Sequence, residues 1–216
     1  MTCLNNSRRI KRIEMIGPLG VGKTTLLNAC KSSLSVKSVS LIFENINRIT
    51  QEIAYWNEDK NSRSFFMQSV YYWETFKNLC ISDGRSNLLL SDSSFLFHHF
   101  GYTNLLFEQG MINALEHKYL ADIHTSLSLQ LPQLAGVIHC HADPSTILAR
   151  IINRDRDMEF SINENLVLSL IAASNNLVSS LNVETLDINL ESIAPQEAAG
   201  KIGTFLDIWL GQEVSS

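Results

Sequence analysis

An α/β fold of three layers, with a parallel five-stranded sheet flanked by helices, is what this sequence predicts, on three observations. Residues Gly17-Pro18-Leu19-Gly20-Val21-Gly22-Lys23-Thr24 spell G-x-x-x-x-G-K-T between an apolar run and an amphipathic one, the order of parts that a phosphate-cradling P-loop requires. Short apolar or β-branched runs alternate with stretches of helical spacing along the whole chain, the pattern of consecutive βαβ units. The 216 residues are 45% hydrophobic, enough to bury one full core, so a single domain spanning 1–216 is expected.

Each element has its own reason. Ile10, Ile13, Met15 and Ile16 read as the first strand, and Leu26, Leu27 and Cys30 recur at helical spacing after the motif. Between them the glycines let successive backbone N–H groups face one anion, and the positive end of the helix adds to the field. The residues expected to hold a nucleotide are therefore Gly17, Pro18, Leu19, Gly20, Val21, Gly22, Lys23, Thr24 and Thr25. Val36 to Phe43 is rich in β-branched and aromatic residues and predicts a second strand ending at Glu44. Helical spacing returns over Ile46–Trp56 and Ser64–Cys80, split by the polar stretch Asn57–Ser62. Leu88-Leu89-Leu90 is a short continuous apolar run, as in a strand covered on both faces, and Asp92 stands just past it. One long helix is expected from about Asn104 to Leu129, then Pro132 and a fourth strand at Gly136–Cys140. Asp143-Pro144 supplies a cap and first-turn proline for a helix that runs into Arg150, Arg154 and Arg156, a lid segment over about 150–159. A helix (Asn163–Leu181), a fifth strand (Val183–Ile188) and a last helix (Pro195–Gly211) complete the chain.

Open parallel sheets bind ligands beyond the carboxyl ends of their strands, where Gly17, Glu44 and Asp92 all fall. Phosphoryl transfer needs a held triphosphate, a metal, charge compensation and a positioned hydroxyl. Lys23 and the loop amides suit the ATP phosphates, Thr24 and Asp92 suit Mg²⁺, and Glu44 suits a general base. Arg150, Arg154 and Arg156 suit a lid that closes on phosphates through paired hydrogen bonds. A formal charge of −5 argues against a nucleic-acid-wrapping surface, so a small-molecule partner is expected. No apolar leader or bilayer-spanning run is present and the four cysteines form no C-x-x-C pair, which fits a cytoplasmic protein with no membrane partner. The basic cluster Arg8 to Arg12 reads as a solvated lead-in to the first strand. His98-His99, His139 and His141 read as structural rather than metal-ligating, and Tyr71, Tyr72, Trp73 and Phe76 as packing residues.

Taken together, these segments resemble the deoxynucleoside kinase family over most of the chain. The shared features are the loop Gly17–Thr24, a glutamate ending the second strand in Leu41-Ile42-Phe43-Glu44, Gln68 in the aromatic helix Phe65-Phe66-Met67-Gln68-Ser69, the arginine pattern Arg150-x-x-x-Arg154-x-Arg156, and Thr185-Leu186-Asp187-Ile188-Asn189 near the end. The resemblance implies a nucleoside-kinase-like fold, a Mg²⁺- and ATP-dependent kinase acting on a hydroxyl of a nucleoside or nucleoside-like molecule, and a homodimer. It makes Glu44, Gln68, Asp92 and the residue at His98 acceptor-binding positions, with Glu44, Lys23, Arg150, Arg154 and Arg156 catalytic. The departures gather in the acceptor pocket. Where the family carries E-R-S this chain has Asp92-Ser93-Ser94, losing an arginine; the base-pocket arginine falls at Thr75 and the aspartate at His98. A site that discriminates through hydrogen bonds should change or relax its substrate when those partners change. Arg48 and Arg63 are the candidates for the missing cation. Two other readings remain open: a thymidylate-type nucleotide kinase, which needs extra arginines for an acceptor phosphate, and a P-loop module that binds ATP or GTP as a switch, which needs neither base nor lid.

Overall fold

A computed structural model describes residues 10–34, 39–44, 60–80, 86–154 and 163–210. In order they form β1 (Lys11–Ile16), α1 (Lys23–Ser33), β2 (Val39–Ile42), α2 (Lys60–Cys80), β3 (Leu88–Ser91), a short helix α3 (Phe95–Phe97), a π-helical turn (His98–Thr103), α4 (Asn104–Glu108), α5 (Ala114–Ser128), β4 (Gln133–His141), α6 (Pro144–Arg154), α7 (Glu164–Ser180), β5 (Glu184–Asn189) and α8 (Pro195–Leu210). The expected helix over Ile46–Trp56 lies outside the described residues. Among the described residues, no helix is long and apolar enough to cross a membrane.

The strands make one five-stranded sheet in the order β2-β3-β1-β4-β5, every pair parallel. Side chains alternate across it. On one face Ile13, Met15, Leu88, Leu90, Ile138 and Cys140 pack with Leu26 and Leu27 of α1 and Ala198, Ala199 and Ile202 of α8. On the other, Leu89 packs with Tyr72 and Leu79 of α2 and Leu120 of α5, and Ile16 and Val137 pack with Leu170 and Leu177 of α7. Burial on both faces is why the strands read as nearly continuous apolar runs. With β1 central, β3 paired to it and β2 paired to β3, the ends of these three strands follow one another along the sheet.

Two stretches differ from the sequence expectation. The single helix expected over Asn104–Leu129 is broken: Gly110 takes φ +69°, and Asn113 starts α5 afresh. Asn113 Oδ1 accepts from the amides of Leu115 and Glu116 at 2.9 and 3.0 Å, and Glu116 Oε2 accepts from the Asn113 amide at 2.8 Å. This reciprocal cap satisfies N–H groups that a continuous helix would bond internally. The segment Phe95–Thr103 is helical with a π-turn, although no helix is expected there. Phe95, Phe97, His98 and His99 are buried while the apolar Phe100 is exposed, so no regular polar stripe marks a helical period.

Candidate active site

The site begins where β1 ends. Gly17 has φ +154°, and a Cβ placed there would lie 2.3 Å from the Cys140 carbonyl oxygen on β4. Only glycine allows the chain to leave the sheet so close to its neighbour. Gly22, with φ +117° and ψ +15°, caps α1 without any side-chain acceptor, so the first amides of that helix are left to face an anion. Lys23 Nζ donates to the carbonyls of Gly17 and Pro18 at 2.7 and 3.0 Å, which holds the ammonium against the loop. Thr24 and Thr25 are exposed in the first turn of α1.

Asp92, just past β3, joins this loop to β2. Its Oδ2 accepts from Thr24 Oγ1 at 2.6 Å and its Oδ1 from the Glu44 amide at 2.8 Å, while its own amide donates to the Ile42 carbonyl at 3.2 Å. The side chain is buried. The loop, Glu44 and Asp92 thus meet in one place, as their positions after three strands suggested.

Glu44 faces the other half of the site. Its Oε1 accepts from Ser93 Oγ at 3.1 Å and lies 3.4 Å from His98 Nε2; the side chain is 22% exposed. Burial pushes its pKa up, but His98, through hydrogen bonding and charge, together with Lys23 and the Ser93 hydroxyl, outweighs burial and holds the carboxyl below the usual range. At Asp92 burial wins over the Thr24 and Glu44 hydrogen bonds, and its pKa is raised. Glu44 is thus kept in its ionised form, the form in which a carboxyl can accept a proton or a hydrogen bond.

The positions where the resemblance marks departures also gather here. Ser93 Oγ lies 2.7 Å from His98 Nε2 and 3.4 Å from Thr75 Oγ1, and the Tyr71 ring stacks on His98 at 5.1 Å and 26°. Gln68 is buried on α2, its Oε1 3.3 Å from Thr103 Oγ1, which in turn lies 2.7 Å from the Tyr72 hydroxyl. His98 thus stands beside Glu44, near the acceptor position at which the resemblance puts it, rather than in the purely structural place that its residue type and neighbour suggest. Ser93 and Thr75 are polar members of the site at positions where the resemblance marks only lost arginines; the hydroxyl pair Ser93-Ser94 just after a strand is a sequence signal for the first, and none marks Thr75. Tyr72 is core, as expected, Tyr71 borders the site, and Trp73 is 57% exposed.

Beneath the site, Glu14 on β1 is fully buried and accepts from Arg12 Nε at 2.6 Å and from Ser94 Oγ at 2.8 Å. Ser94 also accepts from the Phe97 amide at 3.0 Å, so this pair anchors the start of α3 and with it Ser93 and His98. Arg150, expected over the phosphates, lies against the loop from α6: its guanidinium donates to the carbonyls of Val21 at 2.7 Å and Leu190 at 3.0 Å. Arg154 is the last residue of α6, and Arg156, Arg48 and the rest of the lid segment lie outside the described residues. His139 is away from this cluster, paired with Asp187 at 2.8 Å across β4 and β5.

A sequence model of the deoxynucleoside kinase family matches residues 13–202. A deoxyguanosine kinase of Bacillus subtilis (strain 168) is 23% identical over 163 residues, 74% of each chain. Among solved structures, a deoxyadenosine kinase from M. mycoides superposes with a TM-score of 0.72 at 16% identity, covering 91% of this chain and 98% of that one. The family match embraces the loop, Glu44 and Asp92, which follow β1, β2 and β3, and α6, whose Arg150 braces the loop. The chain belongs to the deoxynucleoside kinase family.

Proposed function

We propose that this chain transfers the γ-phosphate of ATP to a hydroxyl of an uncharged deoxynucleoside, with Glu44 as general base. The observation that carries the proposal is the Glu44 carboxyl at the tip of β2: it is held acidic, fixed through one oxygen, and tied by its own amide to the Asp92 that also binds the P-loop helix. A switch module has no use for such a group.

The loop amides and Lys23 bind and orient the triphosphate. Thr24 and Asp92 fit Mg²⁺, since a hydroxyl and a carboxylate 2.6 Å apart are the hard oxygen donors this ion takes. When bound, the ion neutralises charge on the phosphates. Arg154 and Arg156 are assigned to closing over the transferring group. Among the described residues, Gln68, Tyr71, Thr75 and Ser93 line the acceptor side with hydrogen-bonding and aromatic groups, which suit a neutral molecule. An acceptor already bearing a phosphate would demand a fixed cation there.

Purified protein with Mg²⁺-ATP is assayed against deoxyguanosine and deoxyadenosine first, because the two relatives are named for them, then pyrimidine deoxynucleosides and dTMP. Glu44→Gln should lower kcat by about 10²- to 10⁴-fold while leaving ATP affinity within about twofold. Preference for dTMP would move the assignment to a nucleotide kinase. Absence of acceptor-dependent turnover throughout would refute it.

A further inference from the structure

We propose that Ser93 and His98 form a directed hydrogen-bond relay that positions Glu44, making His98 a determinant of turnover rather than of acceptor binding. The inference rests on Glu44 being the base.

The direction of the relay follows from proton counting. An ionised carboxylate can only accept, so the 3.1 Å bond between Ser93 Oγ and Glu44 Oε1 uses the hydroxyl's single proton. Toward His98 Nε2, 2.7 Å away, Ser93 Oγ must then accept, and Nε2 must carry a proton. The chain of donation is His98 Nε2–H to Ser93 Oγ–H to Glu44 Oε1. His98 Nε2 is also 3.4 Å from the same carboxylate oxygen, so both partners act on Oε1. With Oε1 engaged by both partners, Oε2 is assigned to the acceptor hydroxyl.

The ring is held to this task. His98 is 7% exposed, its imidazole stacks on the Tyr71 ring at 5.1 Å, and the Tyr102 ring lies 6.0 Å away at 37°. Its backbone is fixed at both ends: the amide donates to the Ser94 carbonyl at 3.0 Å, and its carbonyl accepts from Thr103 Oγ1 at 2.9 Å. His98 opens the π-turn and His99 follows it. The two side chains diverge, His98 toward Ser93 and His99 toward the Tyr72 hydroxyl at 2.8 Å. A wide turn at a functional position is a recurrent use of π-geometry.

In the reaction the acceptor oxygen forms its bond to the γ-phosphorus, the bond from that phosphorus to the bridging oxygen breaks with its electrons leaving on ADP, and the hydroxyl proton ends on Glu44 Oε2. The protons of Ser93 and His98 stay in place. Their contribution is to hold the carboxylate in one orientation, as the hydrogen-bond partners of a ligating or catalytic group do elsewhere.

The test pairs kinetics with a measurement that needs no turnover. His98→Ala should lower kcat by about 10- to 100-fold with KM for acceptor and ATP within about threefold. His98→Gln, which keeps an N–H donor, should recover part of the loss. Ser93→Ala should cost a similar factor, and the double variant should be no more than about twofold worse than the poorer single, because both cut one chain. An unchanged kcat, a raised acceptor KM with kcat intact, or a loss that tracks the melting temperature and is not rescued by Gln would overturn the relay. In the wild-type protein, ¹⁵N-histidine NMR at neutral pH should show a protonated His98 Nε2 that shifts in Ser93→Ala; a bare Nε2 would overturn it. Failure of all acceptors would sink the role of Glu44 as base, and the NMR result would still judge the relay.

Discussion

Lowering the pH from 7 to 5 should destabilise this protein through two histidines behind the active site, before the carboxylates titrate. His99 and His124 are 8% and 6% exposed and stack on each other with ring centroids 4.5 Å apart at 16°. His124 also stacks on Phe95 at 4.8 Å, and its buried Nε2 has no hydrogen-bond partner among the described residues. Burial pushes His99 down to about 4, with the charge of His117 adding to the effect. Burial, then the charges of His99, Arg12 and His98, pushes His124 down to about 3. Both values lie below the usual 6.5, so as pH falls the unfolded chain takes up these protons first. Stability is complete above pH 6.5 and is lost as pH falls from there toward 4. At pH 5 the unfolded state gains about 2 kcal/mol from each histidine, about 4 kcal/mol for the pair. That is a large share of the roughly 5–15 kcal/mol available to a domain. Urea unfolding followed by tryptophan fluorescence at both pH values reads it directly, as a fall in midpoint of about 1 M or more. His124→Leu removes the orphaned nitrogen and one of the two protons, so it should abolish about half of the pH dependence. Equal midpoints at pH 7 and 5, or full acid sensitivity in His124→Leu, would refute the reasoning.

Three further perturbations separate the supports of the site. Gly17→Ala forces a side chain onto the Cys140 carbonyl at a backbone angle that only glycine adopts freely; it should cost about 1–3 kcal/mol in thermal unfolding and weaken ATP binding in a fluorescence titration, and normal ATP affinity would show the loop tolerates another path. Arg12→Met strands the buried Glu14 carboxylate and should cost about 3–5 kcal/mol, whereas Arg12→Met/Glu14→Leu should cost far less, measured by denaturant midpoint. Arg150→Ala frees the carbonyls of Val21 and Leu190; a loss of about 1.5–3 kcal/mol and a raised KM for ATP at a nearly unchanged acceptor KM are expected, and an unchanged KM for ATP would disconnect α6 from the loop.

Much of the architecture could be read directly from the chain because its signals are local. A buried parallel strand shows as an apolar run, a phosphate loop needs glycines and a lysine at set intervals, and the tip of each strand is where an acid such as Glu44 or Asp92 can face a ligand. Those features depend on a few neighbouring residues, so they survive without knowledge of the rest. The break at Asn113 was also local, carried by the Asn113-x-x-Glu116 cap, but the helical period on either side concealed it.

The alternation of strands and helices, the loop, and the acids at the strand tips are all legible along the chain, since each rests on backbone rules that act over a handful of residues. Only the tertiary structure decided what those side chains meet: that Ser93 and His98, from the segment after β3, close on Glu44 from β2, that Thr75 on α2 approaches Ser93, and that Arg150 reaches Val21 across 129 positions. Such partners are set by how layers pack around the sheet, and packing brings together residues whose separation along the chain carries no trace of their distance in space.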